Sequence, residues 1–337
     1  MSLTRRAVII TSLAFAASPA LARTGFETWL KKFRRKATRL GFSERTLDAS
    51  LKGAEFLPKV VANDSRQAEV AKPLQDYLAS AASGARLSGG QKALKKYKNT
   101  LSKIERTYGV EKEVLTAIWG MESAYGGFRG NLPVFSTLST LAFEGRRREL
   151  FVAELLAALQ IVEAGHAKPA EMRGSFAGAM GHTQFMPSTY QRHAQDFDGT
   201  GHANIWGDDP TDALASTAQL LKAEGWRKGQ PWALEVMLPH GFDLALTGRI
   251  FPRKTRDWQR LGVTTASSAK LADHGNGALI LPAGPEGPVF MVYNNFHVIK
   301  KYNYADSYAI GVGHLSDRLA GRGKIRSGFP KNPWGMS

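Results

Sequence analysis

The sequence contains no cysteine. That excludes disulfides, cysteine-ligated zinc, iron–sulfur clusters and a thiol nucleophile. It also leaves no thiol for lipid attachment near the N-terminus, so no lipid anchor is expected. No apolar run reaches the roughly 18–20 residues of a membrane-spanning helix. HExxH, Walker and GxSxG patterns are missing, which removes the commonest metalloprotease, nucleotide and serine-hydrolase signatures. No internal repeat is visible. Acidic residues are the scarce charge: 29 Asp and Glu stand against 45 Lys and Arg, a net charge of +16. Such a balance suits a polyanionic partner such as nucleic acid, an anionic membrane face or an acidic wall polymer. Scattered surface lysines would explain it equally well.

What is present indicates a globular protein of two or three packed units. The 337 residues are 43% hydrophobic and 22% charged, enough apolar content for a real core. At the N-terminus, Arg5 and Arg6 precede a short apolar stretch from Ala7 to Ser18, followed by Ala20-Leu21-Ala22. This is the order of a cleaved secretory signal peptide over residues 1–22. A twin-arginine signal is the weaker reading of Thr4-Arg5-Arg6. Loss of the leader with its two arginines takes the net charge from +16 to +14. Export to the periplasm opposes a nucleic-acid partner and favours the cell wall.

The remainder divides by texture. Residues 23–107 carry helical periodicity, beginning with Phe26, Trp29, Leu30, Phe33 and Ala37. Gly41 suits a helix stop and Ser43 a cap. Lys92, Lys95, Lys96, Lys98 and Lys103 are expected on one long helix ending at Tyr108-Gly109. Residues 108–230 read as a helical core with pieces at 111–122, 147–164 and 211–224. Residues 231–292 have short apolar runs punctuated by Gly and Pro, the texture of a small β-rich subdomain. Helical pattern returns over 293–320, where Tyr308, Val312, Leu315 and Leu319 share a face. Residues 321–337 form a basic tail.

Five stretches carry candidate chemistry. In Ala117–Gly127, Val114, Ile118 and Met121 mark an apolar helix face, and Glu122 lies four residues after Ile118 on that face. Desolvation disfavours a carboxylate there and raises its pKa, as general-acid cleavage of a glycosidic bond requires. A buried Glu paired with an Arg fits this segment equally well. Gly174–Tyr190 combines small residues with Gln184, Phe185 and Met186, which suits either a sugar cleft or a tight packing corner. Arg146 and Arg147 could bind carboxylates, or be plain surface charge. Asp196-Phe197-Asp198-Gly199-Thr200-Gly201-His202 half-matches a calcium loop, with Thr at the fifth position and Gly207 at the twelfth. Tyr302, Asn303 and Tyr308 could stack on and hydrogen-bond a pyranose.

Taken in order, these pieces resemble the lytic murein transglycosylase B family. The resemblance rests on Gly120-Met121-Glu122-Ser123 with Tyr125-Gly126, Leu138 to Phe143, Arg146-Arg147, Gly174 to Tyr190, Asp196 to Trp206, Gly225-Trp226, and Tyr302-Asn303 with Tyr308. It implies a mainly α (α+β) fold: a lysozyme-like helical core with an N-terminal helical region and a small β-rich insertion. It implies Glu122 as the single catalytic acid and base. Ser175, Gln184, Met186, Tyr190, Tyr302, Asn303 and Tyr308 would line the glycan cleft, with Arg146 and Arg147 nearby. The implied partner is peptidoglycan, cut between N-acetylmuramic acid and N-acetylglucosamine to leave a 1,6-anhydro end, by a protein acting as a monomer. No cofactor is required. Relatives carry calcium in the Asp196 region; here Asp196, Asp198, Thr200, His202 and Asp212 are expected to hold it weakly or not at all, because Thr200 replaces an acid. A hydrolytic muramidase and a non-catalytic wall-binding scaffold are the rival readings.

Overall fold

The computed structural model describes residues 19–67 and 72–330. Residues 1–18 of the expected leader and residues 331–337 of the basic tail therefore lie outside the described residues. The Ala20-Leu21-Ala22 site falls in the first turn of helix α1 (Pro19–Arg39). Next come α2 (Glu44–Leu51), α3 (Pro58–Gln67), α4 (Leu74–Ala81), α5 (Gly84–Lys96) and α6 (Lys98–Tyr108). Ser43 caps α2, its hydroxyl accepting from the Thr46 amide at 3.2 Å. The single long helix expected through the lysines is two helices. The chain breaks at Tyr97 (φ −105°, ψ 26°), whose ring packs edge-on against Trp119 at 5.5 Å. The break lets α5 lie against the helix Lys112–Ser123 while α6 packs chiefly on another helix, Thr211–Ala223.

The centre is built from α7 (Lys112–Ser123), β1 (Leu132–Pro133), α8 (Val134–Glu144), α9 (Arg148–Glu163), β2 (Arg173–Gly174), α10 (Pro187–His193) and α11 (Thr211–Ala223). Helix α7 is buried almost all round, from Val114 through Gly120. A helix apolar on every side belongs in the middle of a core. It is flanked by α5, α6 and α11. Gly120 is needed there, because a Cβ would meet the Tyr125 ring at 2.5–2.7 Å.

The C-terminal third contains β3 (Ala233–Met237), β4 (Arg253–Lys254), α12 (Thr255–Arg260), β5 (Thr264–Thr265), β6 (Asn276–Ile280) and β7 (Val289–Val292). The strands form one antiparallel sheet in the order β4-β6-β7-β3-β5. Alternation along β6 and β7 sorts its side chains. Ala278, Ile280, Phe290 and Val292 join the main core, while Leu279, Val289 and Met291 face a second cluster around Trp258. Two helices follow, α13 (Asn294–Tyr302) and α14 (Asp306–Leu319). Helix α14 packs along α7 and is itself buried from Tyr308 to Ser316.

Candidate active site

Glu122 sits in the last turn of α7. The helix ends one residue later, at Ser123. Ala124 (φ 48°) and Tyr125 (φ 61°) are already left-handed, and Gly126 (φ 87°) continues the turn. Ser123 ties this turn down. Its hydroxyl donates to the His182 carbonyl at 2.5 Å and accepts from the Gly126 amide at 3.0 Å. Of the four non-glycine residues with left-handed backbone among the described residues, three are Ala124, Tyr125 and Gln184. Such strain persists only where the surroundings over-determine it, and it gathers at functional sites.

The Glu122 carboxyl is partly buried. Desolvation pushes its pKa up to about 7, against the opposing pull of one hydrogen bond. That bond comes from Tyr308, whose hydroxyl donates to Glu122 Oε1 at 2.5 Å. Tyr308 lies on the first turns of α14, so the bond joins the two central helices. Burial and the Glu122 charge hold the Tyr308 and Tyr302 hydroxyls well above the usual phenol range, so both stay donors. Tyr302 stacks on Tyr308 (centroids 6.4 Å apart, planes 6° from parallel) and donates to the Thr183 carbonyl. Tyr77 on α4 also feels the Glu122 charge, its pKa lifted to about 12 chiefly by burial.

Opposite this group lies the loop 174–186. It is folded on itself by paired backbone bonds between Met180 and Phe185, at 2.8 and 2.9 Å. Gln184 is held by its amide nitrogen, which donates to the carbonyls of Arg129 (3.0 Å) and Gly181 (2.9 Å). His182 is buried, and burial lowers its pKa. Its neutral ring accepts at Nδ1 from Trp119 Nε1 (3.2 Å) and donates from Nε2 to the Gly207 carbonyl (2.8 Å). Arg129 braces the same stretch through the Trp206 and Gly207 carbonyls and an ion pair with Asp208. No local pattern marked Arg129 or Tyr77; Ser123 stood inside the Gly120–Ser123 motif without a role of its own, and His182 inside the Gly174–Tyr190 stretch without a distinguishing neighbour.

The structure thus brings Glu122, Tyr302 and Tyr308 together beside the loop that carries Gln184 and Met186. Asn303 is exposed next to Tyr302, its side chain accepting from the Ala305 amide at 3.1 Å. One expectation needs correction. Tyr190 is only 1% exposed, and its hydroxyl donates to the Ala203 carbonyl at 2.7 Å. Its ring packs in the core from α10. Ser175 Oγ accepts from the Ala177 and Ala179 amides, which leaves its O–H free to donate from the partly exposed loop. Arg146 and Arg147 both pair with the buried Asp64 of α3, and no bond links either to the Glu122 group among the described residues.

The candidate metal loop fits a hard cation in part. Carboxylate oxygens of Asp196, Asp198 and Asp212 lie within 4.8 Å of one another, an oxygen set that calcium accepts. The loop is nevertheless closed by its own amides. Asp196 accepts from Gly199, Thr200 and Gly201, and the buried Asp212 accepts from Phe197, Asp198 and Asn204. Thr200 contributes its backbone amide to this closure, and His202 is exposed.

Comparison with known proteins follows this geometry. A family model described as the transglycosylase SLT domain matches residues 25–317. The chain belongs to this family. The membrane-bound lytic murein transglycosylase B of Escherichia coli (strain K12) is 34% identical over 231 residues. That match takes in 66% of this chain but only 61% of the relative's length. Among solved structures, SltB3 from Pseudomonas aeruginosa in complex with NAG-NAM-pentapeptide is 43% identical, with a TM-score of 0.88 over 91% of this chain and 83% of that one. The Escherichia coli lytic transglycosylase Slt35 in complex with calcium is 29% identical, with a TM-score of 0.74 over 90% and 95%. The mainly helical fold with its small sheets is therefore that of the lysozyme-like transglycosylases.

Proposed function

We propose that this protein is a peptidoglycan lytic transglycosylase that cuts the β-1,4 bond between N-acetylmuramic acid and N-acetylglucosamine and closes a 1,6-anhydro end. The observation that carries this reading is Glu122 itself: a carboxyl with a pKa of about 7, one hydroxyl donor, and no other acid among the groups that shift it. In the first step protonated Glu122 gives its proton to the leaving glycosidic oxygen as the C1–O bond breaks. In the second, the resulting carboxylate takes the proton of the muramoyl 6-hydroxyl while that oxygen bonds to C1. One carboxyl serves both steps because its protonation state alternates. Tyr308 stabilises the carboxylate between them, and no second carboxylate is required if the substrate's acetamido group shields C1.

The relatives support the substrate class, since SltB3 is also solved in complex with NAG-anhNAM-pentapeptide. In this reading Gln184, Met186, Tyr302 and Asn303 face the glycan. Residues 108–230 and 293–320 form the catalytic core, with 23–107 and 231–292 as accessory units. The enzyme is monomeric, exported to the periplasm after loss of residues 1–22, and works without a required cofactor. No helix among the described residues is long and apolar enough to cross a membrane.

The test is mass spectrometry of muropeptides released from purified sacculi. The wild type should release anhydro products, each lighter by one water than a hydrolysis product. Glu122→Gln should lower release by at least about 10²-fold, the low end of general acid–base contributions, without unfolding. Reducing ends in place of anhydro ends would make the protein a muramidase. Near-normal release by a folded Glu122→Gln protein would reject Glu122.

A further inference from the structure

Glu122 lies between Trp119 and Ser123 on the last turns of α7, and both of those side chains bond to one residue of the loop 174–186, His182. Among the described residues these are the only hydrogen bonds that run directly from α7 to that loop. Ser123 holds the His182 carbonyl, and Trp119 holds the ring. The imidazole is 3% exposed and packs edge-on to the Trp119 indole, with centroids 5.7 Å apart. Gly126 of the Glu122 turn lies against it: a Cβ there would come within 2.7 Å of ring atoms Cε1 and Nδ1. On its other side the ring reaches the Gly207 carbonyl at 2.8 Å, while the His182 amide donates to the Ile205 carbonyl at 3.1 Å. One buried side chain therefore joins α7, its terminal turn, the loop that carries Gln184 and the stretch 205–207.

The partners fix where its protons are. The Trp119 indole N–H can only donate, so Nδ1 must accept. The Gly207 carbonyl can only accept, so Nε2 must carry the hydrogen. Only the neutral Nε2–H form meets both demands. A second proton would sit on Nδ1 and point at the Trp119 N–H, so the side-chain bond to α7 would be lost. The charged groups that face the ring are Arg129, Asp208 and Asp209. Arg129, with Nη1 3.3 Å from Nε2 and donating to the same Gly207 carbonyl, opposes a positive ring. The two aspartates favour one, but both are exposed and Asp208 is already paired with Arg129. Burial outweighs them and holds the His182 pKa below the usual 6.5.

This lock bears on catalysis through geometry and through pH. A misplacement of about 1 Å at a reacting group can cost about 10²-fold in rate, and His182 joins the helix of the acid to the loop beside it. A single carboxyl that must begin protonated gives a rate profile with only an alkaline limb, because at low pH it is already in its working form. An acid limb then has to come from another group. His182 is the titratable side chain whose second proton would break the link between α7 and the loop.

We propose that His182 is a positioning residue and an acid-sensitive lock: its neutral imidazole fastens the helix of Glu122 to the loop of Gln184, and a second proton on the ring opens that lock and slows catalysis. The kinetic half of this inference rests on the single-carboxyl reading of Glu122; the structural half does not.

Two measurements on the full-length protein test it. The first needs no turnover: the Trp119 indole N–H signal is followed by NMR as the pH is lowered from neutral. It should shift with a midpoint below 6.5. It should stay put in His182→Gln, whose amide can accept from Trp119 and donate to Gly207 without titrating. The second is the pH profile of kcat/KM on a soluble, peptide-free glycan of alternating N-acetylglucosamine and N-acetylmuramic acid. The wild type should lose activity on the acid side with the same midpoint. His182→Leu, which removes both ring bonds, should lower kcat by about tenfold or more with KM little changed. His182→Gln should restore most of that kcat and lack the acid limb. An indole signal that ignores pH in the wild type, or shifts equally in His182→Gln, would overturn the lock. An acid limb unchanged in His182→Gln, or full kcat in folded His182→Leu, would overturn its part in catalysis. Failure of the Glu122 reading shows separately, as near-normal release by Glu122→Gln, and leaves the NMR result standing.

Discussion

Burial shifts a titratable group at each end of the α7–α14 pair, and Glu122 and His314 respond in opposite directions. At one end the Glu122 carboxyl is pushed up to about 7; at the other the His314 imidazole is pulled down to about 4. The leading cause is the same. Burial disfavours whichever form is charged, so an acid moves up and a base moves down. The difference lies in what surrounds the neutral group. Glu122 has Tyr308 donating to it and Tyr302 and Tyr77 close enough to feel its charge, so its carboxylate has a partner when it forms. His314 has Arg318 and, with a weaker opposing effect, Glu235 nearby, and no hydrogen-bond partner for its side chain among the described residues. One end can cycle a proton. The other keeps its imidazole neutral down to about pH 4.

The sharpest break of that contrast is in activity. Glu122→Gln should cost at least about 10²-fold in muropeptide release, whereas His314→Phe should change release from short soluble glycans by less than about twofold. Comparable losses from both would merge the two ends into one catalytic unit. Next is Tyr308→Phe. Its hydrogen bond favours the Glu122 carboxylate, so removing it should raise that pKa further. Hydrogen bonds to charged groups contribute about 1.5–3 kcal/mol, and one pKa unit corresponds to about 1.4 kcal/mol. The alkaline limb of kcat/KM, expected near pH 7 in the wild type, should therefore move up by about one unit or more. An unmoved limb would detach Tyr308 from the titration.

Stability should show the same opposition. The folded state binds the Glu122 proton more tightly than the unfolded chain, so this group's contribution is lost as pH rises from about 4.5 through about 7. Glu122→Gln should raise Tm relative to wild type at pH 8 and leave it unchanged at pH 4. For His314 the unfolded chain binds the proton more tightly, so stability is lost as pH falls from 6.5 towards about 4. His314→Phe should flatten that acid limb. Each effect is bounded at about 3 kcal/mol by the size of the shift. Thermal melts across pH 4–8 measure both, and parallel profiles for the two variants would contradict the opposed signs.

The smallest effect concerns the Asp196 loop. Its carboxylates are already closed by backbone amides, and Thr200 supplies no charge. A ligand stabilises the fold only as its concentration approaches Kd. Calcium at about 0.1 mM should therefore leave Tm where EDTA leaves it. A rise of several degrees would reveal a tight site and show that Asp196, Asp198 and Asp212 suffice without a fourth acid.

Much of this was legible in local pattern. Helical spacing located α7, α9 and α11 to within a residue or two, and the Gly and Pro punctuation of 231–292 marked the stretch that carries the five-stranded sheet. Glu122 stood out because its position on an apolar face predicts desolvation. Tertiary structure decided the rest. The hydroxyl that Glu122 meets is 186 residues away in sequence, and no spacing rule spans that distance. Arg146 and Arg147 look like free surface charge until α3 brings Asp64 against them. Tyr190 is the residue type of a sugar-binding site, yet it is buried on α10 with its hydroxyl on the Ala203 carbonyl. The physical reason is range. Periodicity, capping and turn chemistry act within about four residues, so a single sequence determines elements and their buried faces. Which polar groups end up sharing a proton or losing their water is set only when those faces close on one another.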